Sequence, residues 1–168
     1  MAKIILSILT FLLMLFPNCT RLQVEYRSRE VARDITAANV VRAINARDIG
    51  TLEAMMCLNI KQNTSDLSGE IRKLINTIDG EIVEFTEESF GTYSANRNGG
   101  KSIHQTYLAI EFKTATVENY RIYILLENYN SFQPDEMGIR RIFVITADDP
   151  SDVLHIIVAT NGLGEWHE

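Results

Sequence analysis

Six side chains able to donate, accept or exchange protons recur along one stretch of the chain: His104, Tyr107, Glu111, Arg121, Tyr123 and Glu127. An imidazole, two carboxylates, two phenols and a guanidinium could hold a polar ligand if they converged. Burial in a closed pocket would shift the pKa of any one of them and make it an acid–base candidate. Their spacing argues for a different arrangement. Tyr107 and Glu111 share a parity opposite to Leu108, Ile110 and Phe112, and Tyr123 and Glu127 stand opposite to Ile122, Ile124 and Leu126. Successive strand residues point to opposite faces, so these polar groups are expected to meet water as cross-strand partners. The six are candidate ligand-binding residues, and no catalytic set is assigned.

Other chemistries leave weaker traces. His104, His155 and His167 have no metal-ligand neighbour at helical or hairpin spacing, and Cys57 is the only internal thiol. A zinc site needs three or four converging ligands, so neither a metal nor a cofactor is expected. No serine sits in a Gly-x-Ser-x-Gly elbow. Gly99-Gly100-Lys101-Ser102 lacks the first glycine of a phosphate loop and lies between strands, where a hairpin turn is the better reading. Arg140-Arg141 would point to two faces of a strand and is expected to be ordinary surface charge. The loop Asp148-Asp149-Pro150-Ser151-Asp152 lacks the sixth-position glycine and terminal glutamate of a calcium loop. Cys57, beside Met55 and Met56, reads as core packing, since free cysteine is among the most buried residue types.

The elements that must position these groups follow from periodicity. Residues 102–146 read as three long strands with turns near Thr116 and at Gln133-Pro134-Asp135-Glu136. A further strand is expected over 81–93, with Val83 and Phe85 on one face and a bulge near Glu87-Glu88; a turn at 96–100 joins it to the next. Upstream, Ser28 would cap a helix running to about Ala46, with Val31, Ile35, Ala38 and Val41 as its apolar stripe. Asp48 can cap a second, shorter helix carrying Leu52, Met55 and Met56. Leu67, Ile71, Leu74, Ile75 and Ile78 give a third, closed by Gly80. Residues 153–159 are apolar except for His155 and fit a strand or a short helix equally well. Asn161-Gly162-Leu163-Gly164 is turn-like, with Trp166 beyond it. Helices followed by strands, not alternating with them, make the class α+β: three helices on an antiparallel sheet of about four strands.

The first residues carry an address. Lys3 precedes thirteen residues, 4–16, that are apolar except for Ser7 and Thr10. One positive charge, a short apolar run and a polar break make a secretory signal over 1–18, too short for a membrane span of about 20 residues. Leu15-Phe16-Pro17-Asn18-Cys19 resembles a bacterial lipobox, with Asn18 and Pro17 as its departures. Cys19 is therefore the expected lipidation site, residues 19–27 its short tether and 28–168 the folded domain. With 168 residues and a net charge of −6, the chain can bury a core without disulfide or metal. It would repel nucleic-acid phosphates.

Ala37-Ala38-Asn39-Val40-Val41-Arg42-Ala43-Ile44-Asn45-Ala46-Arg47-Asp48, followed by Leu52 and Met55-Met56, resembles the opening of nuclear transport factor 2-like (cystatin-like) domains. The segment from Asp66-Leu67 to Ile78-Asp79-Gly80 is similar to uncharacterised bacterial lipoproteins of that class. The resemblance implies a strongly bent, cone-shaped sheet wrapping the long helix, its open end a pocket for small molecules in relatives. It also implies that an enzyme of this kind would place a carboxylate or histidine base, helped by a tyrosine, in the cone. Fold does not fix function. The expected role is a non-enzymatic lipoprotein of the cell envelope, a binding or interaction module outside the cytoplasmic membrane. Its partners would be the membrane, through the lipid anchor, and a small apolar ligand or an envelope protein, with no nucleic acid. The alternative is a small-molecule enzyme of isomerase or dehydratase type using the cone.

Overall fold

The structure, a computed structural model, describes residues 23–97, 101–116, 119–146 and 153–158. The expected signal segment, Cys19, the turn residues 98–100, the loop 148–152, the turn 161–164 and Trp166 lie outside the described residues.

The helical half opens with α1, helical over residues 23–34. It takes in part of the expected tether and places Ser28 inside a helix, not at its cap. The Ser28 hydroxyl instead donates to the Asn128 carbonyl at 2.8 Å and docks α1 on the sheet. The single helix expected up to Ala46 is interrupted. Thr36 leaves the helical conformation and its hydroxyl accepts from the Asn39 N–H at 3.2 Å, starting α2 (Ala37–Asn45). The Asn39 amide spans the break, donating to the carbonyls of Arg33 and Asp34 at 3.2 and 3.0 Å. A side chain that can mimic a backbone acceptor favours the start of a helix over its interior.

Asp48 caps α3 (Ile49–Met55), accepting from the N–H and hydroxyl of Thr51 at 3.0 and 2.6 Å. A further helix, α4 (Leu58–Asn63), follows at once, with Ile60 as its buried residue. Six residues with one apolar anchor give no readable period, so sequence pattern missed it. Asp66 caps α5 (Leu67–Thr77), which buries Leu67, Ile71, Leu74 and Ile75.

The strands are β1 (Ile82–Arg97), β2 (Lys101–Thr114), β3 (Asn119–Asn130), β4 (Gly138–Thr146) and β5 (Val153–Val158). They form one antiparallel meander in the order β1-β2-β3-β4-β5. Between β3 and β4, Pro134–Glu136 forms a 3-10 turn. The ambiguous apolar segment after residue 152 is thus a strand. The α+β class stands, but the expected three helices on about four strands in a cone-shaped, nuclear transport factor 2-like form do not. The described residues form five α-helices and five strands, because Thr36 splits the first helix, α4 is added and β5 extends the sheet.

Ile110, Ile122, Ile124, Ile142 and Val144 on the central strands share one hydrophobic core with Val40, Leu52, Met56, Ile60, Ile71 and Leu74 on the helices. One close approach holds the two halves together. Gly138 has φ of +138°, and a Cβ there would lie 2.8 Å from the Met55 carbonyl and 2.9 Å from the Cys57 nitrogen. With no side chain in the way, the Cys57 N–H donates to the Ile139 carbonyl at 3.0 Å. Met56 and Ile139 form a parallel bridge beside it. Only glycine combines that φ with that proximity.

Candidate functional site

The six sequence candidates fall into three separate places. Glu111 and Arg121 are register partners on β2 and β3 and form an ion pair. The Arg121 Nη1 also donates to the Tyr123 hydroxyl at 3.0 Å, with Cζ 5.8 Å from that ring. Tyr123 stacks on its own partner Phe143, centroids 4.9 Å apart at 20°. These side chains are half-buried, in a setting where water screens an ion pair strongly. Tyr107 lies on the same face opposite Leu125; partial burial, opposed by the Arg141 charge, raises its phenol above the usual range. His104 is apart, exposed near the far end of β2. Its Nδ1 is 3.0 Å from the Ser94 hydroxyl, and its ring meets Tyr129 edge-on at 5.2 Å.

Glu127 is in a different environment altogether: it is fully buried. Its Oε1 accepts from Asn130 Nδ2 at 2.5 Å, and its Oε2 accepts from Gln105 Nε2 at 3.0 Å and Arg140 Nη1 at 3.3 Å. Arg140 Nη1 also lies 3.7 Å from a Glu136 oxygen, and that oxygen accepts the Asn59 N–H at 3.2 Å. The Asn130 side-chain oxygen accepts from the N–H groups of Phe132 and Gln133, both at 2.8 Å, and shapes the turn after β3. One carboxylate therefore ties β2, β3, β4 and the β3–β4 turn together, and Glu136 extends the tie to α4.

This overturns two expectations, that Glu127 faces water and that Arg140 is ordinary surface charge. The reason is local backbone geometry. The β2–β3 register shifts at His104/Gln105, and the β3–β4 register shifts between Leu125↔Arg141 and Leu126↔Ile139, so that Arg140 falls within the shift. A bulge bends a strand and re-aims side chains. Two flanking Glu127 place a nominally outer residue inside the protein. Gln105, Asn130 and Arg140 completed the cluster unforeseen; the only sequence signal was the interruption of alternation near residues 127–130.

Cys57 is wholly buried, and burial pushes its thiol pKa up, away from the reactive thiolate. On the helical side, Arg27, Val31, Ile35, Arg42, Thr51 and Met55 line an open groove of about 350 Å³. A second groove, about 280 Å³, runs beside β1 over Phe85, Phe112 and Tyr120, with Glu84 and Glu111 among its polar lining. Phe112 and Tyr120 stack on its floor, centroids 5.4 Å apart.

The sheet's two edges differ sharply. At β5, α5 packs alongside, and His155 Nε2 lies 3.3 Å from a Glu70 oxygen. At β1, the outer edge has no strand beside it among the described residues. Val83, which shares the expected face with Phe85, is 65% exposed, Phe85 39% and Tyr93 50%. Among the described residues its helical cover is at the start, where the Asn45 side chain exchanges two 2.9 Å hydrogen bonds with the backbone of Ile82. The bulge expected near Glu87-Glu88 is not there, since that stretch is in unbroken register; the shifts lie at Ile82/Glu84 and at Ser89/Thr92, the latter around Gly91 at φ +81°.

These features define an α+β domain whose five-stranded antiparallel meander is fastened at one end by a buried carboxylate cluster and left open along one edge. The chain belongs to the family described as Domain of unknown function (DUF5104), whose model matches residues 39–147, from within α2 to just past β4. No curated protein matches it.

Proposed function

We propose that this chain is an interaction module of the bacterial cell envelope, lipidated at Cys19 and held at the outer side of the cytoplasmic membrane. The observation that carries the interaction role is β1, a sixteen-residue edge strand with Val83, Phe85 and Tyr93 turned to solvent. Residues 1–19 support the address: one lysine, a short apolar run and a cysteine after Leu15-Phe16-Pro17-Asn18. Acyl chains contribute about 0.8 kcal/mol per buried CH₂, so more than one chain on a terminal cysteine anchors a domain stably.

Metabolic labelling with an alkyne fatty acid, followed by fractionation, tests the anchor. The chain should carry label and sediment with membranes, and Cys19→Ala should lose both. A wild-type chain without label would remove lipidation, and unchanged membrane association of Cys19→Ala would remove the lipid as the anchor. A photo-cross-linking residue at Phe85 should capture a discrete envelope partner that the same residue at Lys61, on α4, does not. Equal capture at both positions would remove the assignment of the role to β1.

A further inference from the structure

We infer that the outer edge of β1 over residues 84–89 is a docking site for a basic, extended polypeptide segment that adds to the sheet as a further strand. This deepens the interaction-module reading by naming the surface and the chemistry of its partner.

Three observations meet on this run of six residues. First, 84–89 is in unbroken register with β2, from Glu84↔Lys113 to Ser89↔Leu108, with register shifts just outside it on both sides. A regular stretch of strand edge presents unpaired N–H and C=O groups in a fixed repeat, the template for strand addition. Second, the run holds three glutamates, Glu84, Glu87 and Glu88, all exposed. Lys113 stands 3.8 Å from Glu84, while Glu87 and Glu88 have no ion pair among the described residues. Third, the 280 Å³ groove opens beside the same run, with Phe85 at its rim and Phe112 and Tyr120 on its floor. Strand addition takes its affinity from main-chain pairing and its specificity from pockets that receive alternate side chains.

Charge selects the occupant. A second copy pairing antiparallel about Glu87 or Glu88 would set glutamates against glutamates, which destabilises a ladder. Charged residues on an edge commonly serve to block such self-association. A strand with lysine or arginine at alternate positions meets Glu84 and Glu88, which share one face of β1, and its apolar residues alternate to the face of Phe85 and Glu87, where they can enter the groove.

The probe is a fluorescent peptide of alternating lysine and valine or isoleucine, compared with glutamate-substituted and scrambled-charge peptides. It is titrated against the full chain in detergent by fluorescence anisotropy. The basic peptide should bind, and amides of 84–89 should exchange more slowly in its presence while those of β5 do not. Glu87→Lys with Glu88→Lys should weaken it roughly tenfold or more and bring the acidic peptide to measurable binding. Raising salt should weaken the wild-type complex. Because both substituted side chains are exposed, circular dichroism should show the variant folded; the gain of the acidic peptide is a readout that misfolding cannot supply. The inference is overturned by no binding of the basic peptide, by equal binding of basic and acidic peptides, by protection elsewhere than 84–89, or by a peptide-free dimer that protects 84–89. A chain that fractionates with membranes but ignores the basic peptide loses this inference and keeps its anchor.

Discussion

Glu127 on β3 and Glu87 on β1 are strand glutamates, each a few residues from a register shift, yet they occupy opposite environments. Around Glu127 the strands continue on both sides: β2 supplies Gln105, β4 supplies Arg140, and the end of β3 itself supplies Asn130. Beside Glu87 there is β2 on one side and, among the described residues, no strand on the other. A carboxylate taken out of water must be paired and hydrogen-bonded, or it does not stay charged there. The same group at an edge keeps its hydration and repels like strands. One residue type thus fastens a sheet at one place and leaves it selective at another. The difference lies in how many neighbours the topology supplies.

Substitutions can break that contrast. The largest effect is expected from Glu127→Ala, which removes the buried carboxylate that Gln105, Asn130 and Arg140 share. Unfolding by urea should show a loss of about 3–5 kcal/mol, and Glu127→Ala with Arg140→Met should cost less than the two single changes added together. A loss near zero for Glu127→Ala would mean that the cluster does not fasten the sheet. Gly138→Ala comes next, at about 1–3 kcal/mol in the same assay. It forces a side chain into a left-handed backbone against Met55 and Cys57 and strikes the seam between the helices and β4. Glu87→Ala and Glu88→Ala should each stay within about 0.5 kcal/mol of the parent; a larger loss would show that β1 is covered in solution. The smallest expected effect is a slope, not a level. Asp48 is exposed like the edge glutamates but bonded like Glu127, and the Thr51 hydroxyl and N–H hold its carboxyl below the usual range. A group with a depressed folded-state pKa stabilises above its unfolded value, and that contribution disappears as pH falls through the folded value. Asp48→Asn should keep the cap and flatten the acid limb of a thermal-melt series against pH.

Much of the scaffold was legible before any coordinates. Leu108, Ile110 and Phe112 on β2, and Ile122, Ile124 and Leu126 on β3, are buried as their alternation requires. The stripe from Leu67 to Ile78 is buried too, and Asp48 caps the helix it was expected to cap. Periodicity works here because one face of each element lies against a common core. It failed where that condition lapsed. Val83 and Phe85 alternate like core residues but are exposed, with no helix over them among the described residues. Helix α4 is too short for a period, and Thr36 ends a helix inside an unbroken apolar stripe. The candidate site fared worse. Glu111, Arg121 and Tyr123 come together; His104 and Tyr107 do not join them, and Glu127 belongs to a cluster whose other members, Gln105, Asn130 and Arg140, were not among the candidates.

By itself, then, the sequence determined the α+β class, the three central strands, the buried faces of β2 and β3, and the Asp48 cap, because each depends on residues close together in the chain. Only the tertiary structure decided which strand would stand at an open edge and which glutamate would be enclosed. Those outcomes depend on register shifts and on neighbours from distant strands, and an element's own periodicity holds no record of what packs against its other side.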